Sequence, residues 1–342
     1  MKIELLAREA LANSRANPNR AWLGSDGDAA RVRLTDDAFL PVGHRPKFML
    51  DRAAPIFTIG SCFARNVENT LVQNNLPMLL KPHGIPAEEY DSWNEATQRG
   101  GGVAAGQLSR GAFNKYNVHS MSHDLRRVIL GESLPDDGLI ELKPGHWFDP
   151  HASSLRHGEK ERVLANRRRI HAGMAEIRNA KVMFMTLGLT ETWLDRETGI
   201  AMNAHPGPAW LARKPDRFAF LDYGFQGILE EMEALIALVR EHCCPDMRFI
   251  VTVSPVPLGT TFKSQDIIVA NSGSKATLRA VAEELYRRHD FVDYFPSYEI
   301  VTNTKRALAW EDDQIHVNPA LVKYITDSFV GLYYAKGEAL AA

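Results

Sequence analysis

Three stretches of continuous apolar side chains limit what this sequence can fold into: IFTIG (56–60), KVMFMTLG (181–188) and RFIVTVSP (248–255). None alternates apolar with polar residues, so each predicts a strand covered on both faces rather than one half-open to water. Patterns of helical period lie around them. In GILEEMEALIALVREHC, Ile228, Met232, Leu235, Ile236 and Val239 fall on one stripe, and in SKATLRAVAEELYRRH Leu278, Val281 and Leu285 do the same. A last helix opens with Asn318 as N-cap and Pro319 at its first position, and turns Leu321, Val322, Ile325 and Phe329 inward. Strands separated by helices predict βαβ units and a parallel sheet, an α/β fold.

The 342 residues fit one such unit with additions. Residues 1–50 carry Asn-Pro-Asn and Gly-Ser-Asp-Gly-Asp turn signals and predict an arm or edge element that begins as a short amphipathic helix. Residues 51–335 form the single main domain. Within it, roughly 81–155 hold RGGGVAAG and few clean periods, which predicts an inserted irregular subdomain over the edge of the sheet.

Composition excludes several classes. A formal net charge of −2 gives no case for nucleic acid or an anionic membrane surface. No apolar run has the length of a membrane span, and charged residues interrupt the first apolar positions, unlike a signal peptide. The three cysteines are Cys62 and the adjacent Cys243 and Cys244, which make no disulfide framework, so the expected location is cytoplasmic. RGGGVAAG does not fit a dinucleotide fingerprint and no phosphate-binding loop motif is present, so no cofactor is expected. His119 and His123 stand four apart in HSMSH without the H-E-x-x-H pattern or a third ligand at a telling distance, so no metal is expected either.

Chemistry concentrates at two places. After IFTIG, Gly60 leads into Ser61 and Cys62 and then an amphipathic helix. A strand, a tight turn and a helix hold a hydroxyl or thiol at a helix N-terminus, where backbone N–H groups favour developing negative charge. Near the other end, in EDDQIHVNPALVKYI, Asp313 and His316 are spaced so that the carboxylate can orient the imidazole and stabilise its protonated form. Between them Gly188 ends the second strand and is followed by Thr190 and Glu191. Ligands of open α/β sheets bind beyond the carboxyl ends of the strands, and Gly60, Gly188 and Ser254 all point to one rim.

TIGSCFAR, NKYNV (114–118), TLGLTETW, VTVSPVPLGTTF (251–262), NSGSKATL (271–278), YFPSYEI (294–300) and DQIHVNPALVKYI together resemble the GSCFA domain family, over roughly 55–329. The resemblance extends to the SGNH or GDSL-like hydrolases. It implies a flavodoxin-like three-layer α/β/α fold, a nucleophile in the first block, oxyanion donors from a Gly and an Asn, and the Asp313–His316 pair in the last block. Strict register of Gly60-Ser61-Cys62 on the hydrolase pattern Gly-Asp-Ser puts Cys62 on the nucleophile, with Ser61 as the alternative. Thr190 stands where the relatives have Asn, so Asn117 is a candidate for the missing amide donor, and Glu191 and His205 are candidates for the pocket. Gly60 and Gly188 complete the expected oxyanion and substrate-binding set. Asn203 and Asn271 lie on matched segments as well.

The implied activity is that of an acyl-ester hydrolase removing a small acyl group from a carbohydrate or related metabolite through a covalent acyl-enzyme. An acyltransferase using the same groups is the alternative, and a catalytically inactive glycan-binding module is the alternative of another class. The expected partner is a small-molecule or glycan ester, and the oligomeric state is left open.

Overall fold

The computed structural model describes residues 4–24, 27–36, 38–80, 84–90, 111–132, 138–152 and 154–334. In chain order its strands are Ile56–Gly60 (β1), Ile140–Lys143 (β2), His146–Phe148 (β3), Val182–Leu187 (β4), Glu191–Asp195 (β5), Ile200–Met202 (β6), Phe218–Asp222 (β7), Arg248–Val253 (β8) and Val292–Tyr294 (β9). The central sheet runs β1-β4-β8-β9 and every pairing in it is parallel. Phe57, Ile59, Met183, Phe184, Phe249 and Ile250 are all fully buried, which is why these runs carry no polar alternation. Full burial of side chains of this size contributes about 1.5–3 kcal/mol each. On the outer edge of β1, the Ile56 amide donates to the Pro77 carbonyl and the Leu79 amide to the Ile56 carbonyl, so residues 77–79 add a short fifth parallel rung.

Helices cover the sheet. Cys62–Gln73 begins one residue after β1, packs on β1 and β4, and buries Phe63, Ala64, Val67 and Leu71. The last helix, Pro319–Tyr333, lies against it, joined by a 2.7 Å bond from Thr70 Oγ1 to Thr326 Oγ1. Ile267–Arg288 covers β8 and β9 and packs on Phe225–His242. The predicted cap forms: the Asn318 side chain accepts from the Ala320 amide at 2.9 Å. Ile267–Arg288 starts well before the stripe seen in sequence, because Asp266 caps it by accepting from Ile268. Among the described residues no helix is long and apolar enough to cross a membrane.

The region expected to be irregular, 81–155, holds a regular helix, Val118–Leu130, and the β2–β3 hairpin. Residues 91–110, with RGGGVAAG, lie outside the described ones. A second sheet, ordered β6-β5-β7 and antiparallel, follows directly on the end of β4. The N-terminal segment carries the expected helix, Ala7–Ala16, which buries no residue. Further on, His44 contacts Asp293 at 3.5 Å, the Lys47 amide donates to Asp293 at 2.9 Å, and the Leu50 amide donates to the Tyr333 carbonyl at 2.8 Å.

Candidate active site

The parallel register aligns the carboxyl ends of the strands. Gly60 stands beside Thr186, and Thr186 beside Thr252. Gly60 has φ of 143°, and a Cβ there would lie 2.4 Å from the Thr186 carbonyl oxygen, so only glycine permits both the turn and the approach of β4. A Cβ on Gly188 would lie 2.5 Å from the Tyr116 carbonyl oxygen, which makes the second glycine of the rim equally restricted.

Ser61 is the N-cap residue of Cys62–Gln73 but does not cap it through its side chain. Its buried Oγ donates instead to Ser254 Oγ at 2.9 Å, beyond the end of β8. Because β4 lies between β1 and β8, this bond joins the ends of two strands that are not neighbours in the sheet. Cys62, the first residue of the helix, is partly buried. Burial pushes its thiol up, while the Lys275 ammonium and the backbone N–H groups of Phe63 and Cys62 draw it back down.

Lys275 is the residue that reading the sequence missed. It is fully buried, donates from Nζ to the Gly188 carbonyl at 2.8 Å, and burial pushes it down to about 7, against the pull of Cys62. Its neighbour Ser274 accepts from the Thr190 amide at 3.1 Å. The signal was present: Lys275 falls among Ala270, Ser274, Leu278 and Val281 on the buried side of its helix, a charge where an amphipathic pattern calls for none.

The Asp313–His316 pair forms as its spacing suggests. His316 Nδ1 lies 2.5 Å from Asp313 Oδ2, and Asp313 Oδ1 accepts the amides of Ile315 and His316 at 2.9 Å each. The His316 backbone hydrogen bond, then its side chain, then the Ile315 amide hold the carboxyl down to about 2. The imidazole is turned to Asp313 and forms no hydrogen bond with Ser61, whose hydroxyl is given to Ser254.

The other expected residues are engaged elsewhere. Asn117 caps Val118–Leu130 by accepting from the Ser120 amide at 2.8 Å, and its Nδ2 donates to the Met202 carbonyl at 3.0 Å. Thr190 Oγ1 donates to Asp222 at 2.8 Å. Glu191 anchors the loop after β8, accepting from Thr261 Oγ1 at 2.7 Å. His205 sits edge-on between Trp193 and Phe262, with Nδ1 accepting from the Gly207 amide at 3.0 Å. Asn203 bonds the Tyr116 amide and the Asn114 carbonyl, and Asn271 accepts from the Leu258 amide.

Fold and rim define a mixed α/β protein whose parallel strands end at a glycine-turned elbow bearing Ser61 and Cys62. The chain belongs to the GSCFA family, whose model matches residues 55–329. No curated protein matches it. Among solved structures it is similar to a salicylyl-acyltransferase, SsfX3 from a tetracycline biosynthetic pathway, with 13% identity over 82% of this chain and 53% of that one. The chain thus spans about half the length of that protein, and at a TM-score of 0.32 the likeness carries no argument about fold or activity.

Proposed function

We propose that this GSCFA chain is an acyl-ester hydrolase of the SGNH type, acting through a covalent acyl-enzyme on a small acyl group carried by a carbohydrate or related metabolite. The observation that carries the reading is the elbow: a nucleophile-capable side chain at a helix N-terminus, beyond the carboxyl end of β1, beside a buried lysine. The strand order with residues 77–79 outside β1 and β4, β8, β9 beyond it matches the flavodoxin-like order, which supports the fold that this chemistry uses.

In this reading Cys62 Sγ attacks the ester carbonyl carbon, and its proton passes to His316, which Asp313 holds in one tautomer. The tetrahedral oxyanion is met by the backbone N–H groups at the helix start. The C–O bond breaks as His316 returns the proton to the leaving alkoxide, and water then hydrolyses the thioester. The Lys275 charge favours the thiolate against the cost of burial. His316 Nε2 has to close on the thiol when substrate binds, as catalytic hydrogen bonds do in many enzymes. With Ser61 as nucleophile the same steps run through an oxygen ester. A thioester also suits transfer to a sugar hydroxyl, so the Cys62 route leads to the acyltransferase when an acceptor displaces water.

Intact-mass labelling with an activated ester tests this. An adduct on the native chain that survives Ser61→Ala but is lost in Cys62→Ala and His316→Ala is expected. Dependence on Ser61 alone would move the attack to the hydroxyl. Labelling that survives both Cys62→Ala and Ser61→Ala would sink the proposal.

A further inference from the structure

A second constellation lies behind the segment that leads into Val118–Leu130. His123 and Asp124 project from that helix, His151 from the loop after β3, and His171 from Lys160–Met174. Asp124 Oδ1 stands 3.3 Å from His151 Nδ1 and 3.8 Å from His171 Nε2. The His123 ring stacks on His151 with centroids 4.5 Å apart, and one ligand atom from each of His123, Asp124 and His151 lies within 4.8 Å of the others. The cavity they line, with Arg127 at its edge, has a volume of about 10 Å³, room for one water molecule or one ion.

His151 is the informative member. It is 5% exposed, yet neither of its ring nitrogens has a hydrogen-bond partner among the described residues. Its 3.3 Å approach to Asp124 does not have hydrogen-bond geometry. Buried polar atoms left in this way call for an occupant that satisfies them. Two ligand atoms bound tetrahedrally to one zinc, at about 2.0–2.1 Å each, stand about 3.3 Å apart.

The neighbouring charges leave the facing oxygen open. Lys115, fully buried, pairs with Asp124 through Oδ2, and its Nζ also donates to the His151 carbonyl at 2.7 Å. Arg167 is held by both oxygens of Asp149 at 2.7 and 2.8 Å. Arg127 donates to His123 Nε2 at 3.0 Å and is the group a bound cation has to turn aside. Burial keeps the imidazoles of His123 and His151 in the neutral form that ligates metal.

From this juxtaposition we infer that His123, Asp124 and His151, with His171 closing in as the fourth ligand, form a binding site for a single divalent transition-metal ion of the zinc type. The site is separate from the elbow and does not depend on the acyl chemistry assigned there.

Metal analysis of the full chain, stripped with chelator, exposed to Zn²⁺ and dialysed, tests it. One retained equivalent is expected, with tetrahedral-type visible absorption when Co²⁺ replaces Zn²⁺. His151→Gln should weaken retention at least 100-fold, whereas Arg127→Met, which removes the competing cation at the rim, should strengthen it. His316→Ala should leave retention unchanged, because Glu311, Asp313 and His316 at the surface are the other group able to gather a cation among the described residues, and Asp313 alone of them is exposed. Failure of the folded native chain to retain metal, retention unaffected by His151→Gln, or loss on His316→Ala would each overturn the inference.

Discussion

Replacing Lys275 by methionine should change the sign of its effect on stability as the pH is raised. Burial moves the ammonium from its ordinary 10.5 down to about 7 in the folded chain. That gap corresponds to about 5 kcal/mol at 1.36 kcal/mol per pH unit. The folded-state value is the lower one, so folding disfavours the charged form. The cost is full below pH 7, shrinks between pH 7 and 10.5, and vanishes above. It is about 5 kcal/mol at pH 6, about 2 at pH 9 and about 1 at pH 10. Methionine fills similar volume without the charge but leaves the Gly188 carbonyl without its donor, a loss of about 1–3 kcal/mol. The variant should therefore be more stable than the native chain by about 2–4 kcal/mol at pH 6, close to equal near pH 9, and less stable by up to about 2 kcal/mol at pH 10. Urea denaturation followed by tryptophan fluorescence at pH 6, 7.5, 9 and 10 measures this. A stability difference that does not vary with pH, or a native chain that is the more stable at pH 6, refutes the reasoning.

Two further perturbations probe the elbow and the dyad. Gly60→Ala forces a Cβ against the Thr186 carbonyl at positive φ and should cost about 3 kcal/mol in urea denaturation, since backbone strain and overpacking both act. Asp313→Asn should lower kcat for an activated ester by about 10²–10⁴-fold with the circular dichroism spectrum unchanged. Because Asp313 is held down to about 2, it is ionised throughout the range pH 6–9, so its own protonation adds no pH dependence to that loss.

β1, β4 and β8 of the central sheet are readable in the sequence because they are buried on both faces and so announce themselves as unbroken apolar runs, whereas β9, three residues long, and the rung at 77–79 are too short to do so. The cap at Asn318 and the Asp313–His316 pair are readable because local spacing alone determines them. The helix Val118–Leu130 is not. Its buried side includes Ser120, Ser122 and Asp124, and these break the apolar stripe; Ser120 meets Asn203 and Asp124 meets His151, residues far along the chain. The same long-range pairing hides the cluster around His151, whose members come from three separate segments. His119 and His123, four apart in sequence, serve different neighbours: His119 stacks on Tyr223 at 3.5 Å, His123 on His151. The short strands β5, β6 and β7 escape because they form their own small sheet, where half-exposed residues weaken the pattern. Lys275 is legible in part: its place among Ala270, Leu278 and Val281 marks a charge on the buried side of the helix, but only the fold brings its ammonium to the Gly188 carbonyl.

The segment Asn114–Asn117 has a consequence for motion. It crosses the rim between β1 and β4, where the Lys115 amide donates to the Gly60 carbonyl and the Leu189 amide to the Tyr116 carbonyl, each at 2.8 Å. Asn203 ties it from above through the Tyr116 amide and the Asn114 carbonyl, and the Lys115 side chain pins it from below at the His151 carbonyl. A strip of chain fastened in this way cannot swing as a gate over the elbow at Ser61 and Cys62. On the β8 side, among the described residues, the loop 255–263 is held by the side chains of Glu191 and Asn271, by the Lys263–Asp222 pair at 2.6 Å, and by Phe262 packed edge-on against Trp193 and His205. The edge of the rim at Asn114–Asn117 is therefore fastened to both β1 and the end of β4 by main-chain bonds, so its shape is set by the sheet itself rather than by side chains alone.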